Sequence, residues 1–339
     1  MLDLQTTWFL LIGVLLVGYA ILDGFDLGVG LLHLFVARTD RERRIVVNAV
    51  GPVWDGNEVW LLTGGGALFA AFPGVYATVF SAFYLALMLV LAALIFRAVS
   101  LEFRSKLESP RWRGSWDWAF AVGSGLPALL FGVAVGNVLR GLPMDAAGDY
   151  TGTFAALLNP FSLLVGLLST SMFLMQGSAW LLLKTEGEVA ARTRRIALPA
   201  WGAFTLLWIA STVAARWAAP AAWAPYSEGL PWLAPIVLVV ALVSFPLALR
   251  SGRKGLTLTA SSSAIAALMA VLGQGLYPYV VPALGEGTLS LSIYTASSSP
   301  YTLEAMLVIA LIGMPVVLGY TLFIYSRFRG PVVLDDHSY

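Results

Sequence analysis

Apolar residues in this chain run in long unbroken stretches rather than recurring on one helical face. Nine stretches stand out, at about 8–34, 49–71, 75–97, 116–138, 158–183, 196–216, 231–249, 256–278 and 303–326. A helix needs about 20 apolar residues to cross the hydrocarbon of a bilayer, and each stretch is close to that length or longer. The pattern predicts an all-α polytopic membrane protein. It has nine transmembrane helices in a single integral-membrane domain over 1–339. Two four-helix bundles plus one peripheral helix fit the length. Phe72-Pro73-Gly74 between the second and third stretches reads as a tight turn. The first run begins near Trp8 with no basic segment before it. It is too long for a signal peptide and reads as a retained span.

Composition strengthens this picture. The 339 residues are 59% hydrophobic and 12% charged, with mean hydropathy +0.82; a soluble domain carries about 25% charged residues. Cysteine is absent, which excludes disulfides, iron–sulfur clusters and thiolate chemistry. A net charge of +1 gives no reason to expect nucleic acid as a partner.

The positions of the charges add orientation. Arg38, Arg41, Arg43 and Arg44 follow the first stretch, and Arg97, Arg104, Lys106, Arg111 and Arg113 follow the third. Lys184, Arg192, Arg194 and Arg195 follow the fifth, Arg250, Arg253 and Lys254 the seventh, and Arg327 and Arg329 the ninth. Eighteen of the 20 basic residues thus share one side, leaving Arg140 and Arg216 on the other. The positive-inside rule then places the N-terminus outside and the C-terminus in the cytoplasm. Trp112, Trp116, Trp118, Trp217, Trp223 and Trp232 near the span ends suit an interfacial aromatic belt.

Four carboxylates fall inside the stretches. Asp23 and Asp26 sit in Ile-Leu-Asp-Gly-Phe-Asp-Leu-Gly-Val-Gly, and Asp55 and Glu58 in Val-Trp-Asp-Gly-Asn-Glu-Val-Trp. A charge at the bilayer centre costs about 2.5–3.5 kcal/mol on insertion scales, so residues kept there point to use. The i, i+3 spacing puts each pair on one helix face. At about 1.5 Å per residue, Asp26 and Asp23 lie roughly 12 and 16 Å from the cytoplasmic end of their span, and Asp55 and Glu58 roughly 9 and 13 Å. Three readings stay open from spacing alone. The group is structural, with Asn48, Asn57 or helix N-termini as partners; or it is a proton path of desolvated carboxyls; or it is an ion or substrate site of a transporter. Gly24, Gly28, Gly30 and Gly64 to Gly66 would let helices approach closely there.

Other polar residues read as structural. His33 is the one histidine in a span, and His337 is in the tail. Membrane haem or copper sites need several ligands, so His33 is expected to be a hydrogen-bonded residue near a span end. Asp117 and Glu304 are expected at helix N-termini, where a carboxylate meets the positive dipole end. Ser261, Ser262, Ser263 and Gln274 can hydrogen-bond between helices.

Three motifs carry a resemblance. They are Asp23-Gly24-Phe25-Asp26-Leu27-Gly28-Val29-Gly30, then Trp54-Asp55-Gly56-Asn57-Glu58-Val59-Trp60-Leu61, then Gly64-Gly65-Gly66-Ala67-Leu68-Phe69-Ala70-Ala71-Phe72-Pro73. Phe103-Arg104-Ser105-Lys106, Trp116-Asp117-Trp118 and Leu158-Asn159-Pro160-Phe161 extend it. The chain resembles subunit II of cytochrome bd-type quinol oxidases over its whole length. The resemblance implies a haem-free subunit in the bacterial inner membrane, forming a heterodimer with a haem-bearing subunit I, with small single-span accessory subunits in some complexes. Subunit I would hold two haems b and one haem d, oxidise quinol near the external face and reduce O2 to water without proton pumping. This chain would support it and supply part of a cytoplasmic proton path. Asp23 and Asp55 are the first candidates for that path, Asp26 and Glu58 the second. Some members hold a structural quinone in this subunit, for which Trp54 and Trp60 are the candidate contacts. No catalytic group and no metal ligand is expected in this chain. The competing reading is a proton-coupled transporter that works alone.

Overall fold

The apolar stretches fold as long helices, in a computed structural model that describes residues 3–227, 232–285 and 289–334. In chain order these are α1 (Leu4–Val36), α2 (Asp40–Asn48), α3 (Trp54–Ala71), α4 (Pro73–Ala82), α5 (Tyr84–Phe103), α6 (Pro110–Arg140), α7 (Phe154–Leu157), α8 (Pro160–Lys184), α9 (Gly187–Ala218), α10 (Ala224–Ser227), α11 (Leu233–Arg250), α12 (Lys254–Leu276) and α13 (Pro300–Arg327). A two-stranded antiparallel ribbon, β1 (Tyr279–Val281) with β2 (Leu291–Ser292), pairs Tyr279 with Ser292, and isolated bridges join Leu142 to Ala283 and Met144 to Tyr150. Among those residues eight helices are long and apolar enough to cross a membrane: α1, α5, α6, α8, α9, α11, α12 and α13. The second expected span, 49–71, begins later, as the 18-residue α3, and is not among the eight.

The third expected span, 75–97, is displaced. Pro73 opens a separate helix, α4, and the chain turns at Phe83 before α5 begins. Val75, Ala82 and Phe83 are buried with Trp8, Leu142, Val281 and Ile293, so α4 belongs to the end opposite the basic loops. Hydropathy cannot see this break, because both sides of it are apolar. The shift moves Arg97 from the expected flank of a span into the interior of α5.

α1 is the central element. It packs against α3, α6 and α8, while α8 also packs on α9 and α12, and α11 on α12. Close approach decides this arrangement. A Cβ on Gly28 would collide with the Phe173 carbonyl oxygen and lie 2.8 Å from Gly177 Cα, so α1 and α8 touch backbone to backbone. Gly123 does the same for α6 on α5, where a Cβ would lie 2.9 Å from Arg97 N. Gly24 and Gly30 also face tight neighbours; of the glycine triplet, Gly64 lies against Leu15 and Leu16 of α1 at ordinary contact distance, and Gly65 and Gly66 face open space. α13 touches α1 and α3 and buries only Leu303. Ile309, Leu311 and Val316 on it are about 70% exposed, a surface that needs an apolar surrounding.

The basic segments meet at one end. Arg192 bonds Glu42, Arg104 bonds Asp40, Lys184 bonds the Phe328 carbonyl, and Lys254 bonds the Thr185 carbonyl at 3.2 Å. At the other end Trp8 Nε1 donates to Leu303 O at 3.0 Å, Thr78 to Gly148 O at 2.8 Å, and Ser298 N to Ala71 O at 2.8 Å.

At the basic end α2 starts with a capping box, Thr39 with Glu42. Burial works against the Glu42 charge, but the Arg38 N–H, the Arg192 guanidinium and the Thr39 N–H hold its carboxyl below the usual glutamate range. A depressed folded-state value stabilises above the unfolded value of about 4.3, and the gain is lost as pH falls through the folded value. Glu42→Gln is therefore expected to cost up to about 1 kcal/mol at pH 7. The difference from the parent in thermal unfolding should close as pH drops below about 4. A pH-independent difference would show that the carboxylate charge is not its source.

Candidate functional site

The carboxylate pairs of α1 and α3 converge on Arg97. Its Nη2 donates to Asp23 Oδ1 at 2.6 Å and to Glu58 Oε1 at 2.5 Å. Asp23 and Arg97 are buried, and the Glu58 side chain is 25% exposed. Local folding sets this up. Gly123 lets α6 press on the α5 backbone beside Arg97, whose guanidinium reaches Asp23 on α1 and Glu58 on α3. Arg97 Nε and Nη1 are buried without a hydrogen-bond partner among the described residues, and the buried Tyr19 hydroxyl lies beside Asp23.

Asp26 lies one turn further along α1, fully buried and within electrostatic reach of Asp23, Arg97 and Glu58. Its Oδ2 accepts from Asn57 Nδ2 at 2.8 Å, and Asn57 Oδ1 accepts from the Tyr325 hydroxyl at 2.8 Å. Its Oδ1 has no partner among the described residues. A polar chain thus joins α1, α3 and α13 beside the arginine.

Asp55 does not join the group. It is exposed on α3, and no hydrogen bond or ion pair is found for it among the described residues. Three of the four expected carboxylates therefore meet around Arg97, while Asp55 stays exposed, within electrostatic reach of Glu58 only. Trp60 is buried with its ring against Gly18, which occupies it within the chain; Trp54 is half-buried against the core around Val46 and Val50.

A second buried cluster forms nearer the basic end. Asp117 Oδ1 faces His33 Nε2 at 2.6 Å and accepts from Arg104 Nε at 2.6 Å, and its Oδ2 accepts from Arg43. Arg104 Nη2 also reaches Asp40 Oδ1 at 2.8 Å, and Arg113 Nη1 reaches Asp40 Oδ2 at 3.0 Å. Asp117 was expected at a helix N-terminus. It is instead two turns inside α6, because that helix starts at Pro110, and it is fully buried. His33 is hydrogen-bonded as expected but lies in the interior rather than at an interface. Glu304 is exposed in the second turn of α13, whose N-cap is Ser299. Ser262 accepts from Gln176 Nε2 at 3.0 Å and Gln274 from Tyr226 at 3.2 Å, both between helices. The chain's other histidine, His337, lies outside the described residues.

Sequence reasoning missed Arg97, Arg104 and Tyr325, whereas Asn57 is a partner of a carboxylate as expected. A signal for the arginines was present: Arg97 and Arg104 are spaced i, i+7 and so share one helix face. Buried acids in a span also demand a cation.

The model of the cytochrome bd terminal oxidase subunit II family matches residues 4–328. The chain belongs to this family. It is similar to the cytochrome bd-I ubiquinol oxidase subunit 2 of Escherichia coli K12, with 39% identity over 98% of this chain and 96% of that one. It is also similar to the cytochrome bd ubiquinol oxidase subunit 2 of Bacillus subtilis 168, with 32% identity over 97% of each. In fold it matches a chain from the structure of bd oxidase from Geobacillus thermodenitrificans. The TM-score is 0.80 at 18% identity, covering 96% of this chain and 99% of that one. The family places the chain among subunits of a multi-pass bacterial membrane oxidase. Haems belong to such complexes, and the one described histidine of this chain is already taken up by a buried carboxylate. His33 Nε2 is engaged by Asp117, and among the described residues no group of three or more His, Cys, Asp or Glu is placed to hold a metal.

Proposed function

We infer that this chain is the haem-free subunit II of a quinol:oxygen oxidoreductase, pairing with a haem-bearing subunit I and carrying part of the proton supply to its oxygen site. The observation that carries the proton path is charge balance. One guanidinium, Arg97, faces three carboxyls, Asp23, Glu58 and Asp26, in a largely buried region. Three carboxylates against one cation are strongly disfavoured away from water, and bound protons restore the balance. Glu58, partly exposed, admits protons from the basic end; Asp23 holds them; Asp26 and the Asn57–Tyr325 chain extend the polar track. Asp55, exposed on α3, is where the track meets the partner subunit. The haems of subunit I, two b and one d, supply the electron transfer and O2 chemistry. Of the two rings named as quinone contacts, the half-buried Trp54 is the one left to reach a quinone.

The topology belongs to the same reading. The basic segments gathered at one end support an outside N-terminus and a cytoplasmic C-terminus. At about 1.5 Å per residue, α3 reaches roughly 27 Å, and with the eight longer helices it makes nine spans in one membrane domain. Helices α1, α6 and α8 pack closely on one another, α9 and α12 pack on α8, α11 packs on α12, and α13 touches α1 and α3, which supports one continuous bundle with α13 at its side rather than two four-helix groups.

The test is oxygen uptake by the co-purified complex. Asp23→Asn is expected to slow quinol-dependent turnover about tenfold, about 1.4 kcal/mol on the limiting barrier, with haem content unchanged. Asp26→Asn should slow it less, since Asn57 and Tyr325 keep their own bond. Haem loss in Asp23→Asn would make that residue structural. Full turnover in the Asp23→Asn/Asp55→Asn double variant would remove the proton path from this subunit. Solute uptake by the isolated chain in liposomes would overturn the oxidase reading in favour of a transporter.

A further inference from the structure

The loops at the basic end form an open concavity of about 270 Å³ between the start of α2, the end of α5 and the start of α6. Six charged side chains line it: Arg38, Arg43, Arg104 and Arg113, with Asp40 and Glu108. Asp117 stands behind, bonded to Arg43 and Arg104. Four guanidiniums therefore meet three carboxylates, which leaves a surplus of one positive charge. Donors are also left over. Arg104 is 3% exposed, yet its Nη1 has no partner among the described residues, and neither has the buried Arg43 Nε. Arg38 uses its backbone N–H on Glu42, and no bond of its guanidinium is found among the described residues. A surplus cation with open guanidinium donors in one concavity suits an anion with several acceptor oxygens, as a phosphate has.

The surroundings say where that phosphate comes from. Phe103 and Leu107 are the chain neighbours of the lining residues Arg104 and Glu108, and Trp118 follows Asp117 on α6; the three are 47%, 52% and 64% exposed. Trp112 Nε1 donates to the Phe103 carbonyl at 2.8 Å and stacks edgewise on Trp116. Aromatic rings beside a basic pocket at the ends of spans mark the depth of lipid headgroups. We propose that this cavity binds the phosphodiester of a membrane phospholipid. The phosphate oxygens meet Arg38, Arg104 and Arg113, and the acyl chains run over Phe103, Leu107 and Trp118. The bound lipid would tie α2, α5 and α6 together next to the His33–Asp117 cluster.

Native mass spectrometry of the complex co-purified with its partner tests this, titrated with dioctanoyl phosphatidylglycerol and separately with inorganic phosphate. The readout is bound lipid, not turnover, so it stands apart from the oxidase reading. One saturable lipid adduct is expected, weakened roughly thirtyfold in Arg38→Gln/Arg113→Gln. A matched loss of charge at the same end, Arg195→Gln/Arg250→Gln, should leave it unchanged. If the first double variant fails to assemble, Arg38→Gln alone carries the test with a roughly fivefold weakening. An adduct unaffected by these changes, or weakened equally by both double variants, overturns the proposal. So does displacement by an equal concentration of inorganic phosphate, which would assign the cavity to the free anion.

Discussion

Arg97→Gln is expected to destabilise the assembled protein by about 3–5 kcal/mol, the cost of breaking a buried ion pair by removing one partner. The reason lies in what stays behind. Arg97 Nη2 serves Asp23 at 2.6 Å and Glu58 at 2.5 Å, so one substitution orphans two carboxylates, one of them fully buried. Glutamine supplies a donor but no charge. Arg97→Lys should recover part of the loss, since an ammonium keeps the charge but lacks the fork that reaches both oxygens. Adding Asp23→Asn to Arg97→Gln should also recover stability, because it removes one of the two orphaned charges; the energies of such neighbours do not add. The measurement is denaturation of the purified complex, with yield as a coarse guide. An Arg97→Gln complex as stable as its parent would mean that the acids are already neutral without the arginine, and the charge balance behind the proton path would fall with it.

The helices and the acidic half of this site were legible in the sequence because both follow from one cost, that of placing charge in lipid. Uncharged runs gave spans, and Asp23, Asp26 and Glu58 stood out against them. The basic half is hidden from hydropathy, because a hydropathy window ends where a charge appears, and only the i, i+7 spacing of Arg97 and Arg104 points to it. Arg97 was read as the flank of a span ending at 97, whereas α5 runs on to Phe103 and holds it inside. The true start of that helix depends on a turn at Phe83, between residues as apolar as those of a helix. Asp117 was misplaced in the same way. Pro110 fits the first turn of a helix and marks an α6 that begins before its apolar run, through Arg111, Trp112 and Arg113. Asp55 shows the opposite limit. Its i, i+3 spacing to Glu58 predicts one face, but 300° of helical rotation leaves room for Glu58 to reach Arg97 while Asp55 stays exposed. Which side chain meets Arg97 is decided by packing, and packing has no signature in a single sequence.

The second large effect is expected at Asp117. Asp117→Ala should cost about 3–5 kcal/mol, again by stranding buried partners. This carboxylate faces His33 at 2.6 Å, accepts from Arg104 at 2.6 Å, and also holds Arg43. Through them it joins α1, α5 and the α2 segment to α6, so its loss frees four elements at one end of the bundle. The partners differ in what they lose. Arg43 is 28% exposed and can turn to water, and Arg104 keeps Asp40 at 2.8 Å. His33 keeps nothing: it is fully buried and its Nδ1 has no partner among the described residues. Hence Arg43→Gln should cost about 1 kcal/mol or less, as for a pair near the surface, and Asp117→Asn should fall between, because one acceptor oxygen remains for Arg104 or His33 but the charge is gone. Denaturation of the three variants in the complex gives the order Asp117→Ala, Asp117→Asn, Arg43→Gln. A small effect of Asp117→Ala would show that Asp40 alone holds the arginines, and that the buried acid is not the element that fixes this end of the bundle.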